Sequence, residues 1–377
     1  MTRSAEYRFP EATALLNQAV REHVFPGCAF AVIAAGETEP SAGSAYAVGQ
    51  FTYNPDAPHV ESGTIFDLAS LTKVLATTAA IMRLYDGQLL ALDAPLANWL
   101  PEFLVASPSD ARRSRVTLRM LLDHSSGLPG YVRLFESAKD RLAIIEACLG
   151  QPLTADPGTR AEYSDIGFIL LGYLVETITG ERLDSYCQRE IFGPLGMSTT
   201  RFCPKETLRM SIPPTENDRS FRHRVIQGEV HDENASVMGG VAGHAGLFSN
   251  ALDPLRFAAC MLAVGMTPSG LQLFSAQTVA LFAERAHQPL GTSRALGWDT
   301  PSVPSSSGSL FSRRSIGHLG FTGTSLWIDL DAGIAVTLLT NRTWPDRSNQ
   351  AIRELRPRFH DAVRRELAAL TKTEHAL

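Results

Sequence analysis

The chain has 377 residues, 44% hydrophobic and 19% charged, and a formal net charge of −5. Such a chain buries a substantial core as two domains, or as one large domain with an insertion, which excludes disordered, collagenous and repeat architectures. Its mild acidity argues against nucleic acid or an anionic membrane as the main partner. Only Lys73, Lys139, Lys205 and Lys372 are lysines among the 34 basic residues. Base bias in the genome accounts for most of that excess of arginine, and it makes the placement of each lysine informative.

In chain order, residues 10–24 carry apolar positions at helical spacing (Ala14, Leu15, Val20, Val24) and stop at Pro26-Gly27. The β-prone runs 28–34 and 44–51 flank a turn-rich segment after Gly36 and predict a hairpin. A helix is expected over 68–85, with Asp86-Gly87 as its stop. Further helices are expected over 117–122, 138–149, 166–179, 183–191 and 254–264. Residues 316–322 precede a second hairpin of 325–330 and 333–340, and a last amphipathic helix covers 349–370, kinked or broken at Pro357. Turn-rich stretches near 211–236 and 300–312 read as crossings, and the serine-rich part, 302–312, as a solvated loop.

Strands at both ends around a helical middle predict an α/β plus all-α architecture. Its antiparallel sheet is built from both termini and flanked by helices. Residues 1–86 and 236–377 would form the α/β domain and 87–235 an inserted, mostly helical domain, with the active site between them.

No C-x-x-C pair occurs among Cys28, Cys148, Cys187, Cys203 and Cys260, so neither a disulfide framework nor a zinc site is expected. No run approaches 18 apolar residues, so no membrane span is expected. The N-terminus lacks the apolar core of a signal peptide. The default is the reducing cytoplasm, although a leader already removed would leave the same sequence.

The chemistry centres on Ser70 and Lys73. Three residues apart at the start of a helix, they share one face. Ser70 lies in the first turn, where free N–H groups and the helix dipole favour developing negative charge. A serine hydroxyl needs a base, and a lysine serves only if its surroundings pull its pKa toward neutrality. Ser-x-x-Lys alone is a weak signal. Three further segments join it: Tyr163-Ser164-Asp165 before an apolar helix, Gly317-His318-Leu319-Gly320-Phe321-Thr322-Gly323 before the last hairpin, and Asp123-His124-Ser125-Ser126-Gly127 between the first two motifs.

In this order the motifs resemble the serine β-lactamase and penicillin-binding protein superfamily, in its class C-like branch of β-lactamases, DD-peptidases, D-aminopeptidases and family VIII esterases. The resemblance runs from Phe25 to Asn341. It implies acyl transfer to a small ester or peptide-like amide without metal or cofactor, with DD-peptidase or β-lactamase activity as the alternative. A non-catalytic ligand-binding or scaffold member is the alternative from another class. The resemblance makes Ser70 the acylated nucleophile, Lys73 its proton partner and Tyr163 a proton shuttle. The N–H groups of Ser70 and Phe321 would form the oxyanion hole, and Asp165, His318, Gly320 and Phe321 would line the substrate channel.

Two positions depart from the pattern. Asp165 replaces the asparagine of Tyr-x-Asn; it should raise the Lys73 pKa and repel an anionic substrate. His318 replaces a lysine and should attract a substrate carboxylate weakly and in a pH-dependent way. Both count against efficient β-lactam hydrolysis. Outside these motifs, segments 231–235 and 239–246 admit a substrate-facing loop, a structural hydrogen-bond network or, less readily, a metal site. His124 reads as a brace for the nucleophile region. The arginines at 112, 113, 115, 219, 222 and 224 read as solvated surface, and Trp327 and Trp344 as core packing.

Overall fold

The computed structural model describes residues 8–374; the N-terminal leader reading falls partly on residues 1–7, outside the described residues. Helix α1 (Pro10–Arg21) leads into β1 (Gly27–Ile33) and β2 (Ala45–Gly49). The C-terminal part adds β8 (Ser315–Leu319), β9 (Ser325–Asp329), β10 (Ile334–Thr340) and α10 (Ile352–Glu374). The five strands form one antiparallel sheet in the order β2-β1-β10-β9-β8, with Phe30 paired to both Tyr46 and Leu338. The expectation of a sheet built from both ends of the chain is met.

Every residue of β1 and β10 is buried, because both faces of the sheet are covered. Cys28, Phe30 and Val32 point to a cluster with Phe9, Leu16 and Phe359 of the terminal helices. Ala29, Ala31 and Ile33 point the other way, into the large core shared with the helical part. Alternation along the strand thus assigns successive side chains to different layers. Each large aliphatic or aromatic side chain so buried contributes about 1.5–3 kcal/mol.

Between the sheet halves lie β3 (Phe66–Asp67), α2 (Ala79–Asp86), α3 (Leu118–Leu122), α4 (Arg141–Leu149), α5 (Asp165–Thr179) and α6 (Leu183–Cys187). They are followed by β4 (Arg201–Phe202), β5 (Glu216–Asp218), β6 (Arg224–Ile226), α7 (Glu233–Val237), β7 (Leu247–Ser249), α8 (Asp253–Leu262) and α9 (Ala276–Ala283). Short strands β3, β7 and β4 form a second sheet and β5 and β6 a small hairpin, none of which was expected. Helix α9 was also unforeseen.

Several expectations need correction. The predicted 68–85 helix is a 3-10 turn (Ala69–Leu71), a π segment (Lys73–Thr78) and then α2. The last helix continues through Pro357 without a break. Segment 302–312 is not a free loop: Ser307 and Phe311 are buried, and Ser309 N–H donates to Asp361. Arg113 is fully buried, its guanidinium against the Phe103 ring and donating to the carbonyls of Phe103, Gln151 and Leu149. Arg222 is likewise buried against Asp218 and donates to Val230 and His231 carbonyls. Both arginines satisfy buried carbonyls that would otherwise lack partners. Trp327 is core as expected, whereas Trp344 is only partly buried.

Candidate active site

The turn bearing Ser70 is held from three directions. Ala69 adopts φ +46°, a strained conformation for a residue with a Cβ. Asp67 supports it: one carboxylate oxygen accepts from Ala69 N–H at 2.8 Å and the other from His231 N–H at 2.7 Å. Thr72 Oγ1 donates to the Ala69 carbonyl at 2.6 Å. The turn after β8 closes the other side, where the Thr322 and Thr324 hydroxyls donate to the carbonyls of Asp67 and Leu68 at 2.8 and 3.0 Å. Gly320 is required there by contact distance. A Cβ on it would lie 1.9 Å from Thr324 Oγ1 and 2.5 Å from the Leu68 carbonyl oxygen.

Lys73 Nζ lies 3.0 Å from Ser70 Oγ, 3.1 Å from the His244 carbonyl and 2.6 Å from Asp165 Oδ1. Its side chain is wholly buried, and Nζ also sits over the Tyr163 ring at 4.8 Å. The Asp165 contact is an ion pair rather than an aligned hydrogen bond, and Oδ1 has no other partner. Burial alone would push Lys73 down, but Asp165 and then Tyr163 outweigh it and hold the ammonium above its ordinary value. This matches the effect expected of an acid at position 165. Burial also pushes the Tyr163 phenol up, opposed by Lys73 and reinforced by Asp165.

Tyr163 and Asp165 reach this point because Ser164 caps α5, its hydroxyl accepting from Gly167 N–H at 3.1 Å and donating to the Pro129 carbonyl at 2.7 Å. His124 accepts from Ser164 N–H at 3.0 Å through Nδ1 and packs 4.7 Å from the Tyr163 ring. It therefore braces the tyrosine segment rather than the Ser70 turn. The His244 carbonyl arrives through a glycine contact. A Cβ on Gly243 would lie 2.0 Å from the Phe168 carbonyl oxygen, and one on Gly172 would lie 2.8 Å from Gly243 Cα. Only the bare backbones allow that approach.

Around these groups is a cavity of about 660 Å³, whose walls include Ser70, Tyr163, Asp165, His318, Gly320 and Phe321. All the residues singled out from the sequence, with buried Lys73 behind them, therefore meet in one place. His318 is the correction. Its Nδ1 lies 2.8 Å from the Leu319 carbonyl and must carry the proton there, while Nε2 is buried without a partner. Burial, with Lys73 and Arg294 nearby, holds it neutral well below the usual histidine range. It offers a lone pair rather than the pH-dependent positive charge expected from the sequence.

Segments 231–235 and 239–246 combine two of the expected roles. His231 Nε2 and Arg347 both contact Glu216, Arg347 also pairs with Glu233, and His231 stacks on the Phe321 ring at 5.6 Å. His244 Nε2 lies 2.9 Å from Asp232 Oδ1, which also caps α7. Although burial opposes it, His244 holds the Asp232 carboxyl well below its usual range. No cluster with metal-ligand composition occurs among the described residues. Sequence reasoning missed Asp67, an acid in an otherwise apolar run, and the arginines Arg294, Arg342, Arg353 and Arg356 in the cavity wall.

The Beta-lactamase family profile matches residues 12–357. A protein of Escherichia coli K12 named as a D-alanyl-D-alanine carboxypeptidase is 35% identical over 306 residues, covering 74% of this chain and 70% of that one. An N-acetylmuramyl-L-alanine amidase of Bacillus subtilis 168 is 35% identical over 312 residues, covering 75% and 69%. The solved structure of EstCE1, a hydrolase with promiscuous acyltransferase activity, superposes with TM-score 0.72 at 22% identity, over 96% of this chain and 99% of that one; at that identity the likeness speaks for the fold. The chain belongs to the β-lactamase family and is a serine hydrolase of that superfamily.

Proposed function

We propose that Ser70 attacks the carbonyl of a small ester or peptide-like amide and carries the acyl group until water releases it. The 3.0 Å contact between Ser70 Oγ and Lys73 Nζ, inside a cavity walled by Tyr163 and Asp165, carries this reading. Lys73 and Tyr163 handle the proton, and the N–H groups of Ser70 and Phe321 receive the oxyanion. Each such donor contributes about 100- to 1000-fold in rate. Gly320 lets the turn bearing Phe321 approach, and His318 Nε2 accepts a substrate N–H or O–H. Residues 87–235 act in this reading as a helical domain inserted between 1–86 and 236–377. It supplies Tyr163 and Asp165, while Ser70, His318 and Phe321 come from the other two segments. A cytoplasmic setting is part of the reading, supported by four buried thiols outside any disulfide. No described helix is long and apolar enough to cross a membrane.

One observation favours an amide substrate with a free carboxylate, the DD-peptidase alternative. Arg342, Arg353 and Arg356 line the cavity, and none has a carboxylate within ion-pair distance among the described residues. Burial, with Arg342 and Arg353 beside it, pulls Arg356 down to about 9. Like charges kept together without a directly paired carboxylate suit an anionic ligand. Intact-mass detection of acyl adducts across p-nitrophenyl esters, nitrocefin and D-Ala-D-Ala peptides tests both readings. Ester adducts without β-lactam turnover are expected. D-Ala-D-Ala peptides should lose reactivity when their C-terminus is amidated if the arginines take the carboxylate. No adduct with any member of the panel would refute acyl transfer.

A further inference from the structure

The lysine that should serve as base is, in this arrangement, a buried ammonium paired with a carboxylate. Nζ donates to Ser70 Oγ and the His244 carbonyl and forms an ion pair with Asp165 Oδ1, and as an ammonium it has no lone pair to direct at Ser70. The 2.6 Å approach to Asp165 is the shortest of the three. An amide at position 165 could only steady the ammonium, whereas a carboxylate can take a proton from it. Asp165 Oδ1 is buried without a hydrogen-bond partner among the described residues and pairs with the ammonium, while the residue itself forms part of the cavity wall. A substrate entering the cavity removes the remaining water from the carboxylate, and loss of water favours the neutral amine and acid over the ion pair.

We propose that Asp165 is the proton acceptor of the acyl-transfer step, working through Lys73. As Ser70 Oγ bonds to the substrate carbonyl carbon, its proton moves to Lys73 Nζ, and one Lys73 proton moves to Asp165 Oδ1. The carbonyl π pair becomes the oxyanion, so the site ends with an ammonium, a neutral acid and one negative oxygen. On collapse the carbonyl re-forms and the bond to the leaving group breaks. The proton then returns from Asp165 through Lys73 to the leaving atom. This role rests on Ser70 being the acylated serine.

The other groups around Lys73 do not substitute for Asp165. His124 and His318 hold an added proton poorly, because burial and the nearby Lys73 and Arg294 disfavour their charged forms. Asp232 is taken by His244 and the α7 cap, and the Tyr163 phenol is pushed up by burial. Arg294 lies over the Tyr163 ring at 5.3 Å, and a guanidinium has no acceptor lone pair.

The test is the pH dependence of kcat/KM for a p-nitrophenyl ester in wild type and Asp165→Asn. If Asp165 accepts the proton, the variant must use the Lys73 amine itself. Amines titrate at higher pH than carboxylates, so the acidic limb moves to higher pH by one unit or more, and activity at pH 7 falls at least 10-fold. If Asp165 only keeps Lys73 charged, removing it frees the amine. The limb then moves to lower pH and activity at pH 7 rises, which overturns the proposal, as does an unmoved limb. Ser70→Ala, labelled in parallel with a fluorophosphonate, separates the two failures. Retained labelling refutes the nucleophile, whereas lost labelling beside a downward or unmoved limb refutes only the role of Asp165.

Discussion

Replacing Lys73 with alanine should lower kcat/KM by about 10³-fold, within the range removed with a positioned acid–base group, and should also destabilise the fold. The two effects have different causes. Activity falls because Ser70 loses the lysine nitrogen 3.0 Å from its hydroxyl. Stability falls because Asp165 would face the buried space without its cation, beside the His244 carbonyl that also loses its donor. Breaking a buried pair costs about 3–5 kcal/mol, and the 15% exposure of Asp165 places the expected loss near 3 kcal/mol. The double variant Lys73→Ala with Asp165→Asn separates them. It should regain most of the thermal midpoint while remaining as inactive as the single variant. A double variant as unstable as Lys73→Ala would mean that packing, not charge, is what the lysine supplies.

The second large effect is expected at Gly320. An alanine Cβ 1.9 Å from Thr324 Oγ1 could be relieved by the threonine side chain, but the Leu68 carbonyl oxygen at 2.5 Å is backbone. That carbonyl belongs to the segment carrying Ser70, and it accepts the Thr324 hydroxyl bond that joins the two walls. Arg356 adds a further tie by donating to the Gly320 and Thr324 carbonyls at 2.8 and 3.0 Å. Gly320→Ala must therefore push the Phe321 turn and the nucleophile turn apart. A displacement approaching 1 Å costs about 100-fold in rate when donors and nucleophile must meet one carbonyl. The loss should appear in kcat more than in KM, because the oxyanion donor acts in the transition state. An unchanged kcat would show that the Phe321 N–H does not contact the reacting oxygen.

Much of this site was legible in the sequence because the relevant information is local. Ser70 and Lys73 lie one turn apart, Ser164 is a cap before an apolar helix, and Gly320 follows a strand. Spacing and residue type carry those facts. The effect of Asp165 on Lys73 was also legible, since it needs only proximity and sign. What failed depends on burial and on partners distant in the chain. His318 looked like a soft cation, but its charge is decided by the Leu319 carbonyl and by low solvent access. Arg113 and Arg222 looked like surface residues because nothing local shows the carbonyls of Leu149, Gln151 or His231 waiting for donors. The π segment after Ser70 is equally invisible to a periodicity count. Within it Thr77 donates to the Gly243 carbonyl, and just before it Thr72 accepts from Leu247 N–H at the start of β7, both partners about 170 residues away.

Asp67 shows the same limit from another side. It was passed over as one acid before a helix, yet its two oxygens set the strained Ala69 backbone and anchor His231, and burial raises its pKa. The arginines of the cavity wall were hidden in a composition already rich in arginine.

The central claim is that Ser70 becomes acylated. Intact-mass spectrometry of the wild type and Ser70→Ala after treatment with a fluorophosphonate, followed by peptide mapping, tests it most directly. The account predicts one adduct per wild-type chain, mapped to the peptide containing Ser70, and none on the alanine variant. An adduct on another serine, or equal labelling of both proteins, would contradict it.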